Sequence, residues 1–170
     1  LLLISGPAGY GKTTLITNWI KQSDMNTAWL TIDQEDNEIK SFIQGIINSF
    51  RVIDDKLFEG TNHLLQLPNQ DGVKAILSSF YSELRLIQQN IVLIFDDFHH
   101  IENNDINQIL DKVIKYSNSN IKLALLTRED PQIKLRQYRL EDMIFELRTK
   151  DLKFNFKEAK KLYANLEISD

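Results

Sequence analysis

The sequence has 170 residues, 42% of them apolar and 26% charged, which suits one well-buried domain with at most the start of a second. It contains no cysteine, so disulfides, thiolate metal sites and a cysteine nucleophile are all excluded. With 20 basic against 24 acidic residues, the formal net charge of −4 provides no broad positive field for a phosphate backbone, and this segment is not expected to contact nucleic acid itself.

Leu1 to Ile4 is apolar but far short of the roughly 20 residues of a membrane span, and it has no basic leader, so a cytoplasmic protein without a membrane contact is expected. The run continues to Ser5 and ends in glycines, which predicts a strand buried on both faces of a parallel sheet. A helix follows from Gly11 to about Lys21. Ala28 to Ile32, Ile91 to Phe95 and Leu123 to Leu126 read as further buried strands, each ending in a polar or acidic residue.

Ile39, Phe42, Ile43, Ile46, Ile47 and Phe50 recur at helical spacing, as do Val73, Ile76, Leu77, Phe80, Tyr81, Leu84 and Ile87, so two amphipathic helices are expected between the second and third strands. The polar stretch Glu59 to Asp71, next to Pro68 and Gly72, reads as a surface loop. Another apolar face runs through Ile106, Ile109, Leu110, Val113 and Ile114, and Met143 to Leu147 forms a short last strand. Strands and helices alternate, which predicts an α/β fold with a largely parallel sheet over residues 1–150. From Asp151, the spacing of Phe154, Phe156, Ala159, Leu162, Tyr163 and Leu166 reads as the opening helix of a second, truncated unit over 151–170. Because the sequence opens on Leu1 inside a strand and stops soon after this pattern, it is read as part of a longer protein.

Gly6-Pro7-Ala8-Gly9-Tyr10-Gly11-Lys12-Thr13 carries two glycines, Gly6 and Gly11, with four residues between them, then a lysine and a hydroxyl residue, between a buried strand and a helix. In that context backbone N–H groups converge on phosphates, and the helix dipole favours the negative charge. Lys12 is expected to neutralise the β- and γ-phosphates and Thr13 to offer its hydroxyl to Mg²⁺, with Thr14 as a phosphate or helix-start contact. The competing reading is a tight glycine turn before a helix.

Ile91 to Asp97 brings two acids to the carboxyl end of a strand, the edge of an α/β sheet where ligands bind. Asp96 is the candidate Mg²⁺ ligand. Asp97 is either the residue that orients or deprotonates an attacking water, or a solvated acid opening a loop. Arg128, after Leu123 to Thr127, either senses a γ-phosphate or forms a surface ion pair with Glu129 or Asp130. His99 and His100 read as capping or packing residues more readily than catalytic ones, and Trp19 and Trp29 as core residues. Asp33, Glu35 and Asp36, with Asn37, read as the start of a helix rather than a metal site. No Asn-Lys-x-Asp guanine-reading sequence occurs, so adenine is the expected base and ATP or ADP the expected nucleotide.

The segments Ser5 to Thr14, Trp29 to Asp33 with Glu35-Asp36-Asn37, Phe95-Asp96-Asp97-Phe98-His99, Leu126-Thr127-Arg128 and Asp151 to Phe154 together resemble the STAND class of P-loop ATPases, and within it the MalT-like, LuxR-type bacterial transcription regulators. The resemblance implies a five-stranded parallel sheet of order 5-1-4-3-2, with the Arg128 strand between the P-loop strand and the Asp96 strand. It also implies a switch: ADP holds a closed form, an inducer favours ATP, the ATP form self-associates, and slow hydrolysis resets it. By the same resemblance, inducer and DNA would be bound by helical repeats and a helix-turn-helix outside this sequence. Competing classes built on the same loop are an AAA-type remodeller, a small-molecule kinase and a binding module that keeps ADP as a structural cofactor.

Overall fold

The structure is a computed structural model and describes residues 1–67 and 72–153. Among them, five strands form one parallel sheet: β1 (Leu2–Ser5), β2 (Asn26–Thr31), β3 (Ile91–Asp96), β4 (Ile121–Thr127) and β5 (Phe145–Leu147), in the spatial order β2-β3-β4-β1-β5. Read from the other edge this is 5-1-4-3-2, the expected order. The helices are α1 (Lys12–Lys21), α2 (Ile39–Arg51), α3 (Glu59–Gln66), α4 (Val73–Leu86), α5 (Asn104–Tyr116), α6 (Leu135–Leu140) and α7 (Thr149–Leu152). The helical unit read from Phe154 onward lies outside the described residues.

The central strands have apolar residues on both sides because both sheet faces are covered. All six residues of β3 are buried. Successive residues divide between two cores, as the period of two requires: Leu3, Leu93, Phe95, Leu123 and Leu125 enter the larger one beneath α2, α4 and α5, while Ile4, Val92, Ile94, Ala124 and Leu126 enter a smaller one with Ile16 of α1. In the larger core Phe95 stacks on Phe42 at 5.6 Å and meets Phe98 edge-on at 5.9 Å, so the chain is clamped on both sides of Asp96 and Asp97.

Two sequence expectations are corrected. The first half of the supposed loop is helical: α3 covers Glu59–Gln66, so three helices rather than two lie between β2 and β3, while residues 68–71 lie outside the described ones. The first turn of α3 has no cap from its own chain neighbourhood. Its Gly60 and Thr61 N–H groups donate instead to the Glu83 carboxylate of α4, at 3.0 and 2.9 Å, and the Thr61 hydroxyl bonds the same carboxylate. The second correction is Trp19, which is 43% exposed beside Leu15, Leu2 and Phe145 over a cavity of about 530 Å³. Trp29 is half-buried against the smaller core, and its indole N–H donates to Thr31 Oγ1 at 3.3 Å.

The acids after β2 are used locally. Asp33 and Asp36 accept backbone N–H groups of Glu35 and Asp33 in a 3-10 turn over Glu35–Asn37, and the Asn37 side chain accepts from Glu102 and Asn103 N–H, joining this turn to the segment after β3. α2 begins only at Ile39.

Because Glu83 supplies the α3 cap from a different helix, Glu83→Ala is expected to lower stability by about 1–2 kcal/mol, with Glu83→Gln losing less. Urea unfolding of the two variants checks this.

Candidate functional site

Three strands adjacent in the sheet, β3, β4 and β1, end at the same edge and deliver Asp96 with Asp97, Arg128, and Gly6. Such a carboxyl edge is where α/β sheets bind ligands. The loop from Gly6 starts with a buried N–H donated to Thr127 O of β4 at 3.2 Å, which ties its first residue to the neighbouring strand. Pro7, Ala8 and Gly9 are exposed and Tyr10 is half-buried. Gly9 and Gly11 have φ of 79° and 73°, a left-handed backbone that costs a residue with a Cβ roughly 1–2 kcal/mol. A Cβ added at either would meet nothing within 4 Å, so the glycines serve the backbone shape and leave open space above it.

Lys12 opens α1 and is only 7% exposed. Its Nζ donates to Gly6 O at 2.8 Å and Pro7 O at 3.1 Å, curling the side chain back under the loop, and among the described residues it enters no ion pair. Burial pushes the Lys12 ammonium below its ordinary range; Asp97 and Asp96 oppose that shift and Arg128 adds to it. Thr13, one residue on, donates its hydroxyl to Asp96 Oδ2 at 3.0 Å. The other oxygen of Asp96 accepts the Asp97 N–H at 3.0 Å. Thr14 is exposed on the same first turn and lines, with Tyr10, Leu15, Asn18 and Leu152, a cavity of about 700 Å³ between α1 and α7.

Asp97 sits in the left-handed region at φ 54°, which turns the chain sharply as it leaves β3. Arg128 is exposed and enters no ion pair among the described residues. Of the two acids weighed as its surface partner, Glu129 enters no ion pair among the described residues, and Asp130 pairs with Arg148 and lies 3.6 Å from Arg139, the Arg148 hydrogen bond holding the Asp130 carboxyl below the usual carboxylate range. Arg128 is thus left beside Lys12, whose charge it affects.

His99, read from the sequence as a capping or packing residue, lies largely buried in this neighbourhood. Its side chain is 12% exposed, and neither ring nitrogen has a hydrogen-bond partner. Asp97 Oδ1 lies 3.6 Å from Nδ1, within charge-pair range but too far for a hydrogen bond. Burial lowers the imidazole pKa below 6.5, aided by Arg128, His100 and Lys12 and opposed by Asp97, so the ring is neutral at neutral pH and forms no true ion pair. Unpaired buried polar atoms of this kind cost about 1–3 kcal/mol each. No sequence signal distinguishes such a histidine from a packing one.

The residues present fit a nucleotide with Mg²⁺. The first turn of α1 carries neither a side-chain cap nor an acid, so its N–H donors and dipole remain available to an anion. Thr13 and Asp96 are a hydroxyl and a carboxylate already in contact, hard oxygen donors of the kind Mg²⁺ takes alongside phosphate oxygens. Among the described residues no helix is long and apolar enough to cross a membrane.

The AAA domain family matches residues 1–131, and the chain belongs to that family. It is also similar to the HTH-type transcriptional regulator MalT of Klebsiella pneumoniae, at 28% identity over 163 residues, and to that of Yersinia pestis, at 29% over 163 residues. Each alignment covers 96% of this chain and 18% of the relative, so the chain spans less than a fifth of the length of the curated relatives it matches. Among solved structures, Cdc6p from Pyrobaculum aerophilum is similar with a TM-score of 0.55 at 14% identity, covering 85% of this chain and 38% of that one, which bears on the fold alone. The resemblance to MalT-like regulators read from the motifs is borne out by these matches.

The lowered pKa of His99 has a definite sign for stability. Between the lowered folded value and 6.5 the unfolded chain binds more protons, so this group's contribution to stability is intact above 6.5 and declines as the pH falls through that interval. NMR titration of the ring should give a midpoint below 6.5; one at or above 6.5 contradicts the buried, cation-flanked environment.

Proposed function

We propose that this chain is an ATP/ADP-binding switch with slow ATP hydrolysis, working inside a larger signal-responsive transcription regulator. The observation that carries the reading is the buried, unpaired Lys12 ammonium under an uncapped helix start, next to the Thr13–Asp96 contact. A cation kept from water without a carboxylate partner is a standing electrostatic demand for an anion.

In this reading, the N–H groups from Gly9 to Thr14 and the Lys12 ammonium hold the β- and γ-phosphates, with Pro7 and Ala8 completing the loop. Thr13 and Asp96 would hold Mg²⁺, which when bound supplies charge neutralisation between those phosphates. The cavity beside Tyr10, Asn18 and Leu152 is of a size to take the adenosine end. Asp97 orients the attacking water and accepts its proton, and Arg128, free of Asp130, reads the terminal phosphate by charge-assisted hydrogen bonds.

A switch requires the two nucleotides to favour two conformations unequally, and the terminal phosphate is the only group available to make that difference. Lys12, Arg128 and the Thr13–Asp96 pair are its readers. The similarity to HTH-type transcriptional regulators supports DNA binding by a helix-turn-helix elsewhere in the full-length protein; inducer binding by helical repeats, cytoplasmic location and self-association of the ATP form belong to the same proposal.

Lys12→Ala is expected to weaken ADP and ATP binding about 100-fold, measured calorimetrically on the full-length chain; undiminished binding would remove the site assignment. Asp97→Asn should hold nucleotide affinity within about threefold while lowering single-turnover hydrolysis about 100-fold. Rapid turnover by the wild type without inducer or DNA would instead favour a working ATPase, such as a remodeller or a kinase.

A further inference from the structure

The loops after β2 and β3 leave the sheet side by side at the candidate nucleotide edge, and they are tied together at both ends. At the near end the Ile32 N–H donates to Asp96 O at 2.9 Å, continuing the ladder past β2. At the far end Asn37 Oδ1 accepts the Glu102 and Asn103 N–H groups at 3.1 and 2.9 Å, and Asn103 Nδ2 donates back to Asn37 O at 3.1 Å. Each half of this clasp is braced within its own loop. Asp33 and Asp36 hold the turn that carries Asn37. Asn103 caps α5 by accepting the Asp105 N–H at 2.9 Å, and its carbonyl accepts from the side chain of Asn107, which is 2% exposed.

Between the two ties lies Asp97, in the left-handed region at φ 54°. A residue with a Cβ keeps such a conformation only where its surroundings impose it. The turn that follows, Phe98–His100, is three residues long and has two backbone bonds, His100 N–H to Asp97 O at 3.2 Å and Ile101 N–H to Phe98 O at 3.1 Å, too few to fix it alone. Phe98 anchors the turn in the core, and the clasp anchors the chain beyond it. We infer that Asn37 is a positioning residue for Asp97: together with Asn103 it closes the frame that keeps the Asp97 turn in its left-handed form, and so places the carboxylate that orients the attacking water. This role rests on the one proposed above for Asp97. Misplacing a reacting group by about 1 Å can slow a step by about 100-fold, while phosphate binding by the loop between β1 and α1 is left intact.

The test compares single-turnover ATP hydrolysis and ADP affinity in the full-length protein and its variants. Asn37→Ala removes the acceptor, Asn37→Asp keeps an oxygen for both N–H groups, and Asn103→Asp keeps the α5 cap while losing the donor to Asn37 O. Asn37→Ala and Asn103→Asp are expected to slow hydrolysis about tenfold or more with ADP affinity held within about twofold. Asn37→Asp should recover most of the rate lost in Asn37→Ala. Asn37→Ala combined with Asp97→Asn should be no slower than Asp97→Asn alone, because both act at one carboxylate. An unchanged rate in Asn37→Ala, an equal loss of rate and affinity, or losses that multiply in the double variant overturns the inference. If Asp97→Asn is slow while the Asn37 and Asn103 variants are not, only the clasp fails; if Asp97→Asn hydrolyses ATP normally, the role of Asp97 fails and the clasp with it. Should Asn37→Ala not fold, Asn103→Asp decides by the same comparison of rate, affinity and double variant.

Discussion

The ammonium of Lys12 is a positive charge removed from water and held only by two backbone carbonyls, those of Gly6 and Pro7. A group in that position is costly unless an anion completes its surroundings, and much of the local structure follows from making room for one. Gly9 and Gly11 take left-handed backbone so that the loop bends around open space, and the α1 N-terminus is left without a capping side chain or an acidic residue. The same curl of the chain sets Thr13 against Asp96, so the loop and β3 are coupled through one hydrogen bond at 3.0 Å.

The sheet provides the rigidity that this arrangement needs. β3 is buried along its whole length, and its last apolar residue, Phe95, is gripped between Phe42 and Phe98, so Asp96 and Asp97 leave the core at fixed positions. The Gly6 N–H bonded to Thr127 O pins the loop to β4. Arg148, engaged with Asp130 and Glu146, ties the end of β4 to the β5–α7 connection and occupies Asp130, one of the two acids weighed as a partner for Arg128. Side chains that serve stability are thus separated from those left free to meet a ligand.

The sequence made some of this legible and hid the rest for physical reasons. The strands could be read because apolar runs such as Ile91 to Phe95 leave no alternative to burial on both faces, and the phosphate loop because its glycines and Lys12-Thr13 sit at a strand-to-helix junction. The helix α3 could not be read, since its first-turn donors are satisfied by Glu83, more than 20 residues away. Trp19 resembled a core residue by helical spacing, yet that part of the α1 face overhangs a cavity instead of a packed layer. The unpaired nitrogens of His99 and the freedom of Arg128 depend on who their neighbours are in space, which no spacing rule encodes.

The central claim is that Thr13 and Asp96 together hold a divalent cation only when nucleotide phosphates share it. Electron paramagnetic resonance with Mn²⁺ in place of Mg²⁺, titrated into the full-length protein with and without ATP, tests this most directly. The account predicts one ATP-dependent Mn²⁺ site that weakens by about tenfold or more in both Thr13→Val and Asp96→Asn. Mn²⁺ binding that is independent of ATP, or indifferent to both substitutions, would contradict it.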